Sequence, residues 1–196
     1  MSRLVFVVID GLDGSGKSTQ AILLSKFLTG RGRSVLMRTH PSDDNFLGVE
    51  ARRFLYSKGK SAHFASAIFY MLDIIRSIAL YSWRKHDYII FVRYLMGTAY
   101  LPSPLHTFAY RFFASIVPTS EFMYFLDVTP KEAYQRIQQA REKREMFENL
   151  NELQRIRNKA FSLASIDNWT IIDANVSEEK VQKTIRTSLI SHFINH

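Results

Sequence analysis

Short apolar runs punctuate the chain, each about the length of one strand. They are Leu4-Val5-Phe6-Val7-Val8-Ile9, Ser34 to Met37, Tyr88-Ile89-Ile90-Phe91-Val92, Phe122-Met123-Tyr124-Phe125-Leu126 and Thr170-Ile171-Ile172. Unbroken apolar runs, rather than alternation, are what a strand covered on both faces requires. Between the runs, apolar residues recur every three or four positions. Ile22, Leu23, Leu24, Phe27 and Leu28 predict a helix over Ser18 to Leu28, stopped by Gly30-Arg31-Gly32. Ala62, Ala65, Phe69, Leu72, Ile75 and Ala79 predict a long helix with one buried stripe. Pro130 to Arg144, Asn149 to Ser165 and Ser177 to Ile194 also read as helices, and Leu101-Pro102-Ser103-Pro104 breaks the pattern before a helical stretch from His106 to Pro118. Strands alternating with helices give an α/β protein in three layers: a mostly parallel five-stranded sheet flanked by helices, with ligands gathering at the carboxyl ends of the strands.

With 196 residues and 46% apolar content the chain fits a single domain over residues 1–196. The absence of cysteine excludes disulfides, thiolate metal sites and cysteine redox chemistry. No apolar run approaches the ~18 residues of a membrane span and no signal peptide is visible, so a soluble, cytoplasmic protein without a membrane partner is expected. A net charge of +8 calls for acidic partners, which phosphorylated nucleotides satisfy as well as nucleic acid. Nothing resembles a nucleic-acid-binding module, so nucleic acid is not the expected partner.

The first run leads straight into GLDGSGKS, Gly11 to Ser18, a complete G-x-x-x-x-G-K-[ST] string. A strand ending in a glycine-rich turn that opens a helix aims backbone N–H groups and the positive helix end at one point, where polyphosphate binds. Gly11, Gly14 and Gly16 allow the tight path, Lys17 reaches the β/γ-phosphates, and the Ser18 hydroxyl can ligate Mg²⁺. The candidate ATP-binding set is Gly11, Asp13, Gly14, Ser15, Gly16, Lys17, Ser18 and Thr19, with Ser18 the metal ligand.

Further strings follow in order. They are Pro41-Ser42-Asp43 with Gly48 and Arg52, the Arg93-Tyr94 pair, Thr98-Ala99-Tyr100, Phe125 to Pro130, an arginine-rich stretch from Arg136 to Arg144, and Ile171-Ile172-Asp173-Ala174-Asn175. Taken together with the glycine loop, the set resembles the thymidylate kinase family of P-loop nucleoside-monophosphate kinases over nearly the whole chain. The resemblance implies the P-loop NTPase fold and transfer of the ATP γ-phosphoryl group to a nucleoside monophosphate, with Mg²⁺ as cofactor. It implies that Arg93 holds the acceptor phosphate and approaches the transferred group, with Arg52 as the second acceptor arginine, whose planar fork suits two phosphate oxygens. Asp13 then meets the acceptor sugar, Tyr100 packs on the deoxyribose and Tyr70 stacks on the base. A mobile lid at about 136–148, containing Arg136, Arg141, Lys143 and Arg144, closes over the phosphates, and Arg141 and Arg144 are its catalytic candidates beside Lys17 and Arg93. The resemblance also implies a homodimer, for which the long helix, Ser61 to Arg84, is the candidate surface.

The chain departs from the family at defined positions. Val92 stands where relatives place an aspartate that organises Mg²⁺ and the acceptor, which leaves Ser18, phosphate oxygens, water and Asp10 to hold the ion. Ile74 stands where an arginine reads thymine, so the acceptor is dTMP or a related (deoxy)nucleoside monophosphate. Thr39-His40-Pro41 replaces Arg-Glu-Pro, with Arg38 a substitute by register change and His40 placed to titrate near a phosphate. Met146 replaces a lid arginine. Two alternatives stay open: a catalytically weakened nucleotide-binding protein derived from such kinases, and another P-loop activity such as a small-metabolite kinase or a nucleic-acid-linked ATPase, the latter marked by steep salt dependence.

Overall fold

The computed structural model describes residues 4–57, 60–81, 86–140 and 149–194. Five strands, β1 (Val5–Gly11), β2 (Val35–Thr39), β3 (Tyr88–Val92), β4 (Phe122–Asp127) and β5 (Trp169–Asp173), form one sheet in the order β2-β3-β1-β4-β5. Every pairing is parallel. The α/β architecture expected from the apolar runs is therefore present. β1 is the central strand, and Val7, Val8 and Ile9 are fully buried. Each such side chain contributes roughly 1.5–3 kcal/mol of transfer free energy.

Among the described residues seven helices flank this sheet or pack on one another: α1 (Lys17–Thr29), α2 (Phe46–Leu55), α3 (Lys60–Tyr81), α4 (Leu105–Ile116), α5 (Pro130–Ala140), α6 (Leu150–Ile166) and α7 (Glu178–Ile194). A 3-10 turn, Leu95–Tyr100, follows β3. The periodicity did not predict α2. Asn45 starts it by accepting from the N–H groups of Leu47 and Gly48, which satisfies two donors of the first turn. Gly48 then lets the helix lie on the preceding loop, since a Cβ there would sit 2.0 Å from the Ser42 carbonyl oxygen.

The predicted stripe of the long helix holds at its amino end, where Ala62 is buried and Phe69 packs against the core, and then turns outward. Leu72, Ile75 and Ala79 are exposed, and the buried face of α3 carries Ser66, Tyr70, Asp73, Ile74 and Ser77. The reason is polar. The loop before α2 needs acceptors and donors, and Asp73 accepts from the Ser42 N–H (2.7 Å), the Ser42 hydroxyl (2.6 Å) and the Asn45 amide (2.8 Å). Ser66 donates to the Ala51 carbonyl at 3.0 Å. One window of α3, Phe64–Tyr81, is also long and apolar enough to cross a membrane by length and composition, contrary to expectation. Asp73, bonded to a neighbouring loop, ties this helix into the domain.

Candidate active site

The glycine loop leaves β1 beside β4 and passes under α5. At Gly11 (φ +148°) a Cβ would lie 2.5 Å from the Leu126 carbonyl oxygen, and at Gly14 (φ +78°) 2.6 Å from that of Ala133. No other residue fits there. Gly16, also at positive φ, precedes α1, whose amino end has no side-chain cap and no acidic residue in its first turn. Its first N–H groups and the positive helix end thus face outward, as a polyanion site requires. Lys17 is buried and donates to the Gly11 and Leu12 carbonyls (2.9 and 2.6 Å), with Asp13 at 3.8 Å. Ser18 and Thr19 are exposed, and the buried Ser15 hydroxyl has no hydrogen-bond partner among the described residues.

Facing the loop is an open cleft, whose lining includes Asp13, Arg93, Tyr70, Tyr100, Gly97 and Pro41. The structure thus gathers four of the sequence-derived acceptor residues in one place. Arg93 forms an ion pair with Asp13, which also accepts from the Tyr100 hydroxyl at 3.0 Å. Arg93 itself has φ +64°, a left-handed conformation that costs a non-glycine residue about 1–2 kcal/mol. Its N–H donates to the Ile9 carbonyl at 3.2 Å. Tyr70 packs against Gly97 and donates to the Tyr94 carbonyl at 2.9 Å, and burial pushes its phenol well above the usual range. Arg52 does not line the cleft. It bonds the Pro41 carbonyl (2.8 Å) and pairs with Asp43 (2.6 Å) just behind its wall.

The departures from the family pattern have structural counterparts. Val92 is fully buried, and so is Ile74. Arg38 makes no register change: it forks onto Asp44 at 2.7 and 2.9 Å and lies over the Tyr81 ring. His40 is not placed to titrate near a phosphate. It is fully buried against Phe91, neither ring nitrogen has a hydrogen-bond partner among the described residues, and burial lowers its pKa to about 4. Arg141, Lys143, Arg144 and Met146, the core of the expected lid, lie outside the described residues. Arg136, at the lid's near end, donates to the Gly14 (3.4 Å) and Ala174 (3.1 Å) carbonyls and so spans the glycine loop and the segment after β5.

Sequence reasoning assigned Asp10 only a loose part in holding the metal ion. Its carboxylate is 2% exposed and accepts from the N–H groups of Gly11 (2.8 Å), Tyr94 (2.7 Å) and Met96 (3.1 Å), so both oxygens are engaged. The available signal was a carboxylate ending an apolar strand, since buried charge demands partners. Gly97 gave no comparable signal.

Comparison with known proteins agrees with this geometry. The thymidylate kinase family model matches residues 9–185. A thymidylate kinase of Prochlorococcus marinus (strain MIT 9301) is 28% identical, the match covering 97% of each chain. A probable thymidylate kinase of Pyrococcus abyssi is 29% identical, again over 97% of each. In fold, the chain is similar to the thymidylate kinase of Candida albicans, with a TM-score of 0.75, 17% identity and coverage of 97% of this chain and 92% of that one. On its motif order, its parallel sheet and a family match over most of its length, this chain belongs to the thymidylate kinase family, as a divergent phosphotransferase member.

Proposed function

We propose that this chain is a nucleoside-monophosphate kinase that transfers the γ-phosphoryl group of ATP to dTMP or a related (deoxy)nucleoside monophosphate. The observation that carries this is the meeting of two phosphate-handling devices at adjacent strand ends, the glycine loop after β1 and Arg93 after β3, joined by the Arg93–Asp13 pair. Transfer moves the phosphoryl group from the β-phosphate oxygen of ATP to an oxygen of the acceptor phosphate, forming ADP and a nucleoside diphosphate. The acceptor oxygen is already deprotonated, so positioning and charge neutralisation dominate. Lys17 rests on the loop's own carbonyls and is placed to exchange them for donor phosphate. Arg93 is placed to exchange Asp13 for the acceptor phosphate, leaving Asp13 and Tyr100 for the sugar. Tyr70 supplies an aromatic wall for the base.

Mg²⁺ fits the residues present, because the exposed Ser18 hydroxyl at an uncapped helix end offers a hard oxygen donor. When bound, the ion neutralises charge on the donor phosphates. The test is diphosphate formation from ATP and a panel of dTMP, dUMP, dCMP, dAMP, dGMP and the ribonucleotides. Product above a Lys17→Ala control is expected for at least one acceptor, and none at all refutes the kinase reading. The buried Val92 favours a second reading, a nucleotide binder of weakened catalysis, which robust multiple turnover eliminates. Pairing of two copies across α3 is supported by its exposed Phe64, Ile68, Leu72 and Ile75. Sedimentation velocity is expected to give a dimer that Leu72→Asp converts to monomer, whereas a wild-type monomer removes the pairing.

A further inference from the structure

Asp10 stands between the two phosphate-handling turns and bonds to both. One carboxylate oxygen accepts from Gly11, the first residue of the glycine loop. The other accepts from Tyr94 and Met96, which are 84 and 86 residues away in sequence and follow Arg93 directly. Arg93 is bracketed as a result. Its own N–H is held by the Ile9 carbonyl, and the residues that follow hang from Asp10. That bracket accounts for the left-handed backbone of Arg93, a conformation that persists only where its surroundings over-determine it. Burial raises the pKa of Asp10 and the nearby Lys17 charge counters it, so the carboxylate has a stabilising cation within the same loop.

We propose that Asp10 is a positioning residue that locks the turn presenting Arg93 to the first residue of the glycine loop and so fixes the spacing between acceptor and donor phosphates. It acts through Arg93 and not through the metal ion, since both of its oxygens are taken up by backbone N–H groups. The inference rests on the kinase reading above.

The variant Asp10→Asn keeps the shape but offers one acceptor and one donor where three N–H groups converge. Either the Gly11 side or the Tyr94 and Met96 side must then face another donor, and either failure unlocks the turn from the loop. Loss of a buried charge-assisted hydrogen bond predicts a kcat reduced about 10- to 100-fold and an acceptor KM raised about tenfold, with ATP affinity by calorimetry within about threefold of wild type. In an Arg93→Ala background the same substitution is expected to add less than about a twofold further loss, because the two residues act as one unit. Equal losses in both backgrounds overturn the proposal, as does a variant that merely melts earlier with unchanged kinetic constants.

Amide hydrogen exchange supplies a readout independent of turnover. In Asp10→Asn the amides of the 94–96 turn are expected to exchange at least about 100-fold faster, with the β1 and β3 core amides unchanged. Unaltered exchange at the turn overturns the lock. Should the variant not fold, the wild type decides the matter: Tyr94 and Met96 amides exchanging as slowly as the central strand support the proposal, and exchange at the rate of an open turn refutes it. A wild type inactive on every acceptor removes the kinase reading while the exchange result still judges Asp10.

Discussion

Gly97 is the position where a single methyl group has the most traceable effect. A Cβ there would sit 2.4 Å from Tyr70 Cε1, 2.8 Å from Cζ and 3.1 Å from Cδ1, all far inside the ~3.5–4.0 Å of optimal carbon contact. The backbone of Gly97 is not left-handed, so alanine meets no conformational penalty and the cost is steric alone. Tyr70 must yield by about 1 Å, yet it is buried and its hydroxyl is tied to the Tyr94 carbonyl. Overpacking costs about 1–3 kcal/mol and the lost hydrogen bond about 1 more, so Gly97→Ala is expected to destabilise by about 2–4 kcal/mol. For a chain of this size that lowers the melting temperature by about 4–16 °C. Both residues line the acceptor cleft, so part of the displacement enters the space for the monophosphate. An acceptor KM about tenfold higher corresponds to only ~1.4 kcal/mol of that strain, with the ATP KM unchanged. Steady-state ADP release at varied ATP and varied acceptor, with thermal melts alongside, measures all of this. A variant with wild-type melting and wild-type acceptor KM refutes the packing of Tyr70 on Gly97.

Val92→Asp places a carboxylate at a fully buried site and is expected to cost about 3–5 kcal/mol by urea unfolding, with kcat within about threefold of wild type. A tenfold rise in kcat instead shows that a missing carboxylate limits catalysis. His40 predicts a pH dependence of stability. Its folded pKa of about 4 lies below the ordinary value of 6.5, so between those limits the unfolded chain binds the extra proton and stability falls as the pH falls. The loss amounts to about 2–3 kcal/mol across that window, and His40→Phe is expected to flatten this part of the profile in chemical denaturation at stepped pH. An unchanged slope in the variant places the titration elsewhere.

The sheet was legible because its inner strands β1, β3 and β4 are apolar on both faces, a pattern that needs no knowledge of their partners. The second helix was not. Within α2 only the small Gly48 and Ala51 are buried, Leu47, Phe54 and Leu55 are partly buried, and the exposed Phe46 and Val49 blur a stripe of barely three turns. In α3 both faces are apolar enough to pass for the core, and the inner one is betrayed by Ser66 and Asp73, whose partners lie in other elements. The glycine loop could be read directly because its chemistry is contained in consecutive residues. Asp13 and Arg93 are 80 residues apart, and nothing local joins them; their association came from the resemblance. For the lock made by Asp10 the sequence offered a carboxylate ending an apolar strand but not its partners, which are backbone N–H groups that every residue except proline carries.

The central place of β1 has a consequence for how this protein comes into being. The glycine loop that follows it is made well before the strands on either side of β1, which begin at Tyr88 and Phe122. Both neighbours pair with it through long loops, the kind of contact that closes late because chain entropy must be lost first. A nascent chain therefore carries a phosphate-binding sequence long before it carries a phosphate-binding site. Recovery of activity after denaturation thus times the closure of the middle of the sheet, and a fragment ending before β3 is a chain with the motif and without the cleft.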